Sequence, residues 1–321
     1  MVKWWNGGLL HFRNSPFHNF RNFIISHFHI TFMSGNKLKG IVSIIVSAFG
    51  FSLMALFVRL CDDVGGPVSA FQKGFFRNIV AFVIALVVWW RGAVQRQSAR
   101  TPTVRCWGVL LLRATLGTAG IFANFYALGK ISIAEGLTLN KTAPFFTVLF
   151  AWLFLGERAN RRQLLTLALA FLGVVLIAKP GFAGTSAFPL MIGLLSGACA
   201  GGAYACVRAL RRHALSPSLI ILFFSAFSCL ASVPFMAAGF DPMTGMQVLV
   251  LLGAGTGAAI GQFGITLAYG YAAPKDIAVF DYSGILFAAA FGFLCFAQVP
   301  DLLSIAGFLA IILAAFLLAR G

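Results

Sequence analysis

Acidic residues are scarce in this chain, with eight Asp and Glu against 24 Lys and Arg in 321 residues. Charged residues of either sign make up 10% of it, while 60% are hydrophobic and mean hydropathy is +0.92. A soluble domain this apolar would aggregate. Beyond the N-terminal stretch His213 is the sole histidine, and neither HExxH nor GxSxG occurs, which removes two common hydrolase signatures. No Gly-rich loop leads into Lys-Ser/Thr, so there is no cradle for ATP phosphates. The six cysteines contain no CxxC pair. Most lie in apolar runs, where a free Cys acts as a small hydrophobe, and no disulfide, metal or cofactor is expected.

What is present is a series of long apolar runs. A membrane-spanning helix needs about 20 mainly apolar residues, because each adds about 1.5 Å across a core of about 30 Å. Ten segments meet this: 40–60, 70–90, 105–127, 131–155, 163–178, 188–208, 217–238, 246–270, 274–297 and 302–319. Strand-like alternation is absent, which argues against a barrel. The expected fold class is an all-α polytopic membrane protein with ten transmembrane helices.

The net charge of +16 raises the question of nucleic acid, but the placement of the charge answers it. Arg91, Arg96, Arg100 and Arg105, then Arg158, Arg161 and Arg162, then Arg208, Arg211 and Arg212 fall in alternate loops. Under the ten-helix count they share one side with Lys37, Lys39, Lys275 and Arg320, whereas Asp62, Asp63, Asp241 and Asp301 face the other. The positive-inside rule then puts both termini in the cytoplasm of a cell whose inner membrane holds the chain. The charge reports topology, the partner is the lipid bilayer, and no nucleic acid is expected.

Residues 1–36 form an atypical tail. Its first 32 residues hold four of the five histidines and no acid. The stretch is too polar for a signal-peptide core, and Met33, directly before SGNKLKG, reads as the true start. A basic aromatic tail lying on the inner leaflet is the competing reading.

A repeat organises the rest. Ala127–Ala178 lies on Ala268–Ala319 without a gap at an offset of 141, with eight of 52 pairs identical. Hydropathy, polar interruptions and the breaks after Glu157 and Gln298 coincide. Two five-helix halves, 37–178 and 188–320, are therefore expected, and an odd number of helices per half makes the repeat inverted. The rows Gly193, Gly197, Gly201 and Gly253, Gly257, Gly261 suit close helix packing.

Charged groups at membrane depth cost several kcal/mol unless paired or hydrated. Lys141 is about 15 Å deep by its position in the fourth span. Pro144 cannot donate to the Asn140 carbonyl, so the helix should kink there and open a polar site at Asn140, Lys141 and Thr142. The offset sets Asp281 and Tyr282 opposite, in a ninth helix that lacks this proline and is expected to run unbroken. Asp281 is either the structural partner of a cation or a proton-coupling acid, with Glu135 a second coupling candidate. Arg77 and Arg113 add cations in the second and third spans. They either join the site, favouring an anionic or zwitterionic small-molecule substrate, or snorkel to the headgroups. Asn124, Gln262 and Tyr204 complete the substrate-binding candidates, although polar residues here also serve as interhelical glue. Glu157 is expected at the membrane edge with Arg158 or Arg162. Pairing into a homodimer stays open.

The segments FRN (76–78), LLRATLGTAGIFANFYAL (111–128), LNKTAPFFTVLFAWLFLGER (139–158), GQFGITLAYGYAAPKDIAVFDY (261–282) and LLSIAGFLAIILAAFLLA (302–319) resemble the EamA-type drug/metabolite transporter superfamily. The resemblance covers about residues 37–320. It implies an inverted ten-helix repeat, a central cavity, and export or exchange of small metabolites by alternating access. Gln298 stands where the family usually has Glu, and Ile285 where the first half has Pro144. The runner-up is a membrane-embedded enzyme or Schiff-base chromophore protein using Lys141 and Asp281.

Overall fold

A computed structural model of the chain describes residues 35–95, 103–128, 130–131, 133–181 and 187–320. The side chains of 93–95, 125, 128, 133–135 and 137 lie outside that description. So do the tail with Met33, loop residues Arg96 and Arg100, and the Glu135 carboxylate. Every element among the described residues is helical. In chain order they are α1 (Gly35–Gly65), α2 (Ala70–Gln95), α3 (Val104–Leu128), α4 (Ile133–Asn140), α5 (Ala143–Leu155), α6 (Arg161–Ala178), α7 (Ala187–Arg212), α8 (Pro217–Ala238), α9 (Gly245–Tyr271), α10 (Pro274–Ile277), a 3-10 segment (Ala278–Tyr282), α11 (Ser283–Phe296) and α12 (Leu302–Ala319). Ten stretches are long and apolar enough to cross a membrane, and they overlie the ten expected runs. The protein is a multi-pass membrane protein.

Two spans depart from simple helices. The fourth is broken at Lys141–Thr142, between α4 and α5, with Pro144 in the first turn of α5. That is the position a proline tolerates, since its missing N–H would be unpaired there anyway. The ninth was expected to run unbroken and does not: α10 passes into the 3-10 segment before α11 begins. Its break has no proline. Tertiary contacts hold it, with the Ser52 hydroxyl of α1 donating to the Gly284 carbonyl at 2.7 Å and Tyr282 fully buried.

The ends of these spans share one geometry. After α5, Gly156 turns left-handed at φ 69°, and the Glu157 N–H reaches back to the Ala151 carbonyl at 3.2 Å. After α11, Ala297 does so at φ 51°, and the Gln298 N–H reaches Gly292 at 3.1 Å. Both are Schellman-type stops that satisfy orphan carbonyls. The next helices are N-capped by Asn160 and Asp301, each accepting from the N–H three residues on.

Packing is set by small residues. α9 runs along α1, where a Cβ on Gly257 would meet the Met54 nitrogen at 2.8 Å and one on Gly264 the Ser43 carbonyl at 2.8 Å. α7 lies along α3 and against α5, where a Cβ on Gly201 would come within 2.8 Å of the Ala143 carbonyl and the Thr147 nitrogen. Backbones this close gain dispersion and leave lipid no room. The α7 row therefore seats the break in the fourth span, and α1 seats the 3-10 segment of the ninth.

Candidate functional site

The two breaks meet. The Lys141 ammonium lies 3.6 Å from the Asp281 carboxylate, with 25% and 15% of each side chain exposed. The Tyr282 hydroxyl donates to the Lys141 carbonyl at 3.1 Å. That carbonyl, one residue beyond the one expected to be freed, is the carbonyl that finds a donor from the other broken span. Thr142 turns back to its own chain, its hydroxyl donating to the Leu139 carbonyl at 2.6 Å. Asn140 is half-buried and makes no side-chain hydrogen bond among the described residues.

Arg113 does not snorkel. It is 1% exposed, its guanidinium stacks on the Phe224 ring at 3.9 Å, and it donates to the Gln262 side chain at 3.2 Å. Its Nε has no hydrogen-bond partner, and neither has that of Arg77, which lies over the Phe51 ring at 5.8 Å. No carboxylate pairs with either arginine among the described residues. Tyr204 connects the two groups: it is within electrostatic reach of Asp281, Arg113 and Arg77, and its ring tilts against Tyr269 at 5.8 Å. Among the described residues, charge around the site is thus one balanced pair plus two cations whose partners are neutral. Asn124 is half-buried on α3, without a side-chain hydrogen bond among the described residues. The Ser283 hydroxyl, beside Tyr282, is buried without a partner.

Glu157 corrects an expectation. Its partners are Arg208 and Arg212 of α7, at 2.8 and 3.8 Å, in place of Arg158 or Arg162. The Gly156 turn carries the carboxylate inward, where neighbouring loop residues cannot follow. Arg208 also donates to the Tyr269 carbonyl at 3.0 Å, which ties this end of the bundle to the aromatic wall of the site. At the matched position, Gln298 faces Arg59 of α1, its amide oxygen accepting at 2.9 and 3.2 Å. Phe224, Tyr269 and Arg208 were not among the expected site residues. Phe224 has no sequence signal, being one aromatic in an apolar run, whereas Arg208 was read only as loop charge.

The model of the EamA-like transporter family matches residues 38–179. The chain is 31% identical over 285 residues to the pseudopaline exporter of Pseudomonas aeruginosa, covering 88% of this chain and 96% of that one. The chain belongs to the EamA-like transporter family. It is also similar to a riboflavin transporter of Brucella anthropi, 28% identical with 71% and 80% covered. A solved crystal structure aligns with a TM-score of 0.73 at 18% identity, covering 90% of this chain and 99% of that one, and shares the fold. This EamA-like protein is a transporter of the drug/metabolite type and not an enzyme.

Proposed function

We propose that the chain is a secondary transporter, exporter or exchanger, of a small polar or amphipathic metabolite carrying an anionic group. Two inverted halves, 37–178 and 188–320, rock about a site centred on Lys141 and Asp281. The carrying observation is the 3.6 Å pair between the two broken spans: each half contributes one charge, so separating the halves separates the pair. Arg77 and Arg113, with no acid beside them among the described residues, favour a carboxylate or similar anion, and Tyr204 and Gln262 offer polar contacts. Asp281 is the coupling acid. Protonation would release Lys141 toward the substrate, and a pH gradient would then drive the cycle. Both termini lie in the cytoplasm and the arginine-rich end faces it.

Counterflow in proteoliposomes tests this. The panel holds amino acids, nucleosides, vitamins and sugars, with riboflavin and pseudopaline included because relatives are named for them. Exchange of an anionic or zwitterionic solute, faster under an imposed pH gradient, is expected. Exchange of neutral or cationic solutes alone would contradict the charge reading.

A further inference from the structure

A groove of about 430 Å³ opens between α5 and α6, and neither Lys141 nor Asp281 lines it. Its walls include Phe145, Phe146, Leu149, Trp152 and Leu164, and Arg158 stands at its end. Leu149, Trp152 and Leu164 are exposed, so the groove is open to the medium around the bundle. An apolar cleft offers water too few hydrogen bonds to hold it. At this depth in a bilayer the surrounding medium is acyl chain.

Length and charge narrow the occupant. From Phe145 to Leu155, where α5 ends, the chain advances ten residues, about 15 Å, which is about one leaflet of the hydrocarbon core. The groove therefore runs from headgroup depth to near the midplane. At its mouth the cations outnumber the acids. Arg158 lines the groove and is exposed, Arg161 and Arg162 follow it in the chain and are exposed, Arg162 donating to the Leu317 carbonyl at 2.6 Å, and Lys275 donates to the Arg158 carbonyl at 2.9 Å. Of the nearby acids, Glu157 is held between Arg208 and Arg212, and Asp276 accepts from Gln163 at 2.9 Å. A second copy of the chain docked here by two-fold symmetry would set this basic rim against its own image, whereas a lipid phosphate would neutralise it.

We propose that the groove is a binding site for one anionic phospholipid, an acyl chain lying along α5 and the headgroup phosphate on Arg158. The inner end of the chain would reach Phe145, whose N–H bonds to the Thr142 carbonyl at 3.0 Å. A bound lipid would thus pack on the first turn after the break that carries Lys141.

Native mass spectrometry of the purified full chain, titrated with phosphatidylglycerol or phosphatidylcholine, tests the assignment. One phosphatidylglycerol should be retained in preference to phosphatidylcholine. Arg158→Gln should cut that preference about fivefold, the loss of one basic contact near a lipid surface. Leu149→Trp fills the groove and should abolish the adduct, while Leu309→Trp, exposed on α12, should leave it. Arg158→Gln alters only an exposed side chain and keeps the test valid if Leu149→Trp fails to fold. Equal retention of both lipids, or an adduct indifferent to Arg158→Gln and Leu149→Trp, would overturn the site. A dimer that Leu149→Trp disperses would assign the groove to a second copy instead.

Discussion

The two broken spans are built alike and closed differently. The fourth is seated on α7 through glycines at backbone contact, and its end is held by Glu157 between Arg208 and Arg212, with the Glu157 and Arg208 side chains 13% and 16% exposed. The ninth is seated on α1 through the Ser52–Gly284 hydrogen bond, and its end meets Arg59 through the neutral, exposed amide of Gln298. A shielded ion pair that loses one partner leaves a charge stranded, whereas an exposed contact is screened and weak. The one Glu-to-Gln departure between matched positions therefore gives the bundle a firm end and a loose one.

The largest effect should follow from making the firm end resemble the loose one. Glu157→Gln strands Arg208 and is expected to cost about 3 kcal/mol of stability, read as a lowered thermal midpoint in detergent. The reciprocal Gln298→Glu should gain at most about 1 kcal/mol, because Arg59 is exposed. Equal and opposite shifts would mean that the two ends are closed alike.

Packing offers the next contrast. A Cβ on Gly201 would come within 2.8 Å of backbone atoms of α5 and its entry, so Gly201→Ala should destabilise by about 1–3 kcal/mol. A Cβ on Gly284 meets nothing closer than 3.4 Å, so Gly284→Ala should fall within about 0.5 kcal/mol of the parent. The same thermal scan checks both.

The smallest contrast is in acid sensitivity. Hydrogen bonds from Lys179 and Ser304 hold the Asp301 carboxyl down to about 2 from an ordinary 3.8. A carboxylate depressed on folding adds stability above its unfolded value, and that stability disappears as pH falls through the folded one. Asn160, which caps α6 in the matching place, does not titrate. Between about pH 4 and pH 2 the thermal midpoint should fall further for the parent than for Asp301→Asn; parallel curves would remove Asp301 from the acid response.

Much of this was legible in the sequence, for identifiable reasons. Ten spans follow from run length alone. The first break is announced by Pro144, a local steric fact. The second is silent because its 3-10 segment is imposed by contacts with α1, more than 200 residues away in sequence. Asn140 and Lys141 could be set opposite Asp281 and Tyr282, since the offset of 141 is a property of the chain. Pairing Glu157 with Arg208 could not, because charges adjacent in a loop look equally available until the Gly156 turn sets a direction. Arg113 was found, but its neutral cover of Phe224 and Gln262 was not, since neither position differs locally from packing residues.

One measurement bears most directly on the meeting of the two breaks: counterflow by Lys141→Ala and Asp281→Asn in proteoliposomes, at matched protein incorporation. Lys141→Ala is expected to abolish flux, and Asp281→Asn to remove its response to a pH gradient. Undiminished flux through Lys141→Ala, with the pH response intact in Asp281→Asn, would place the substrate elsewhere.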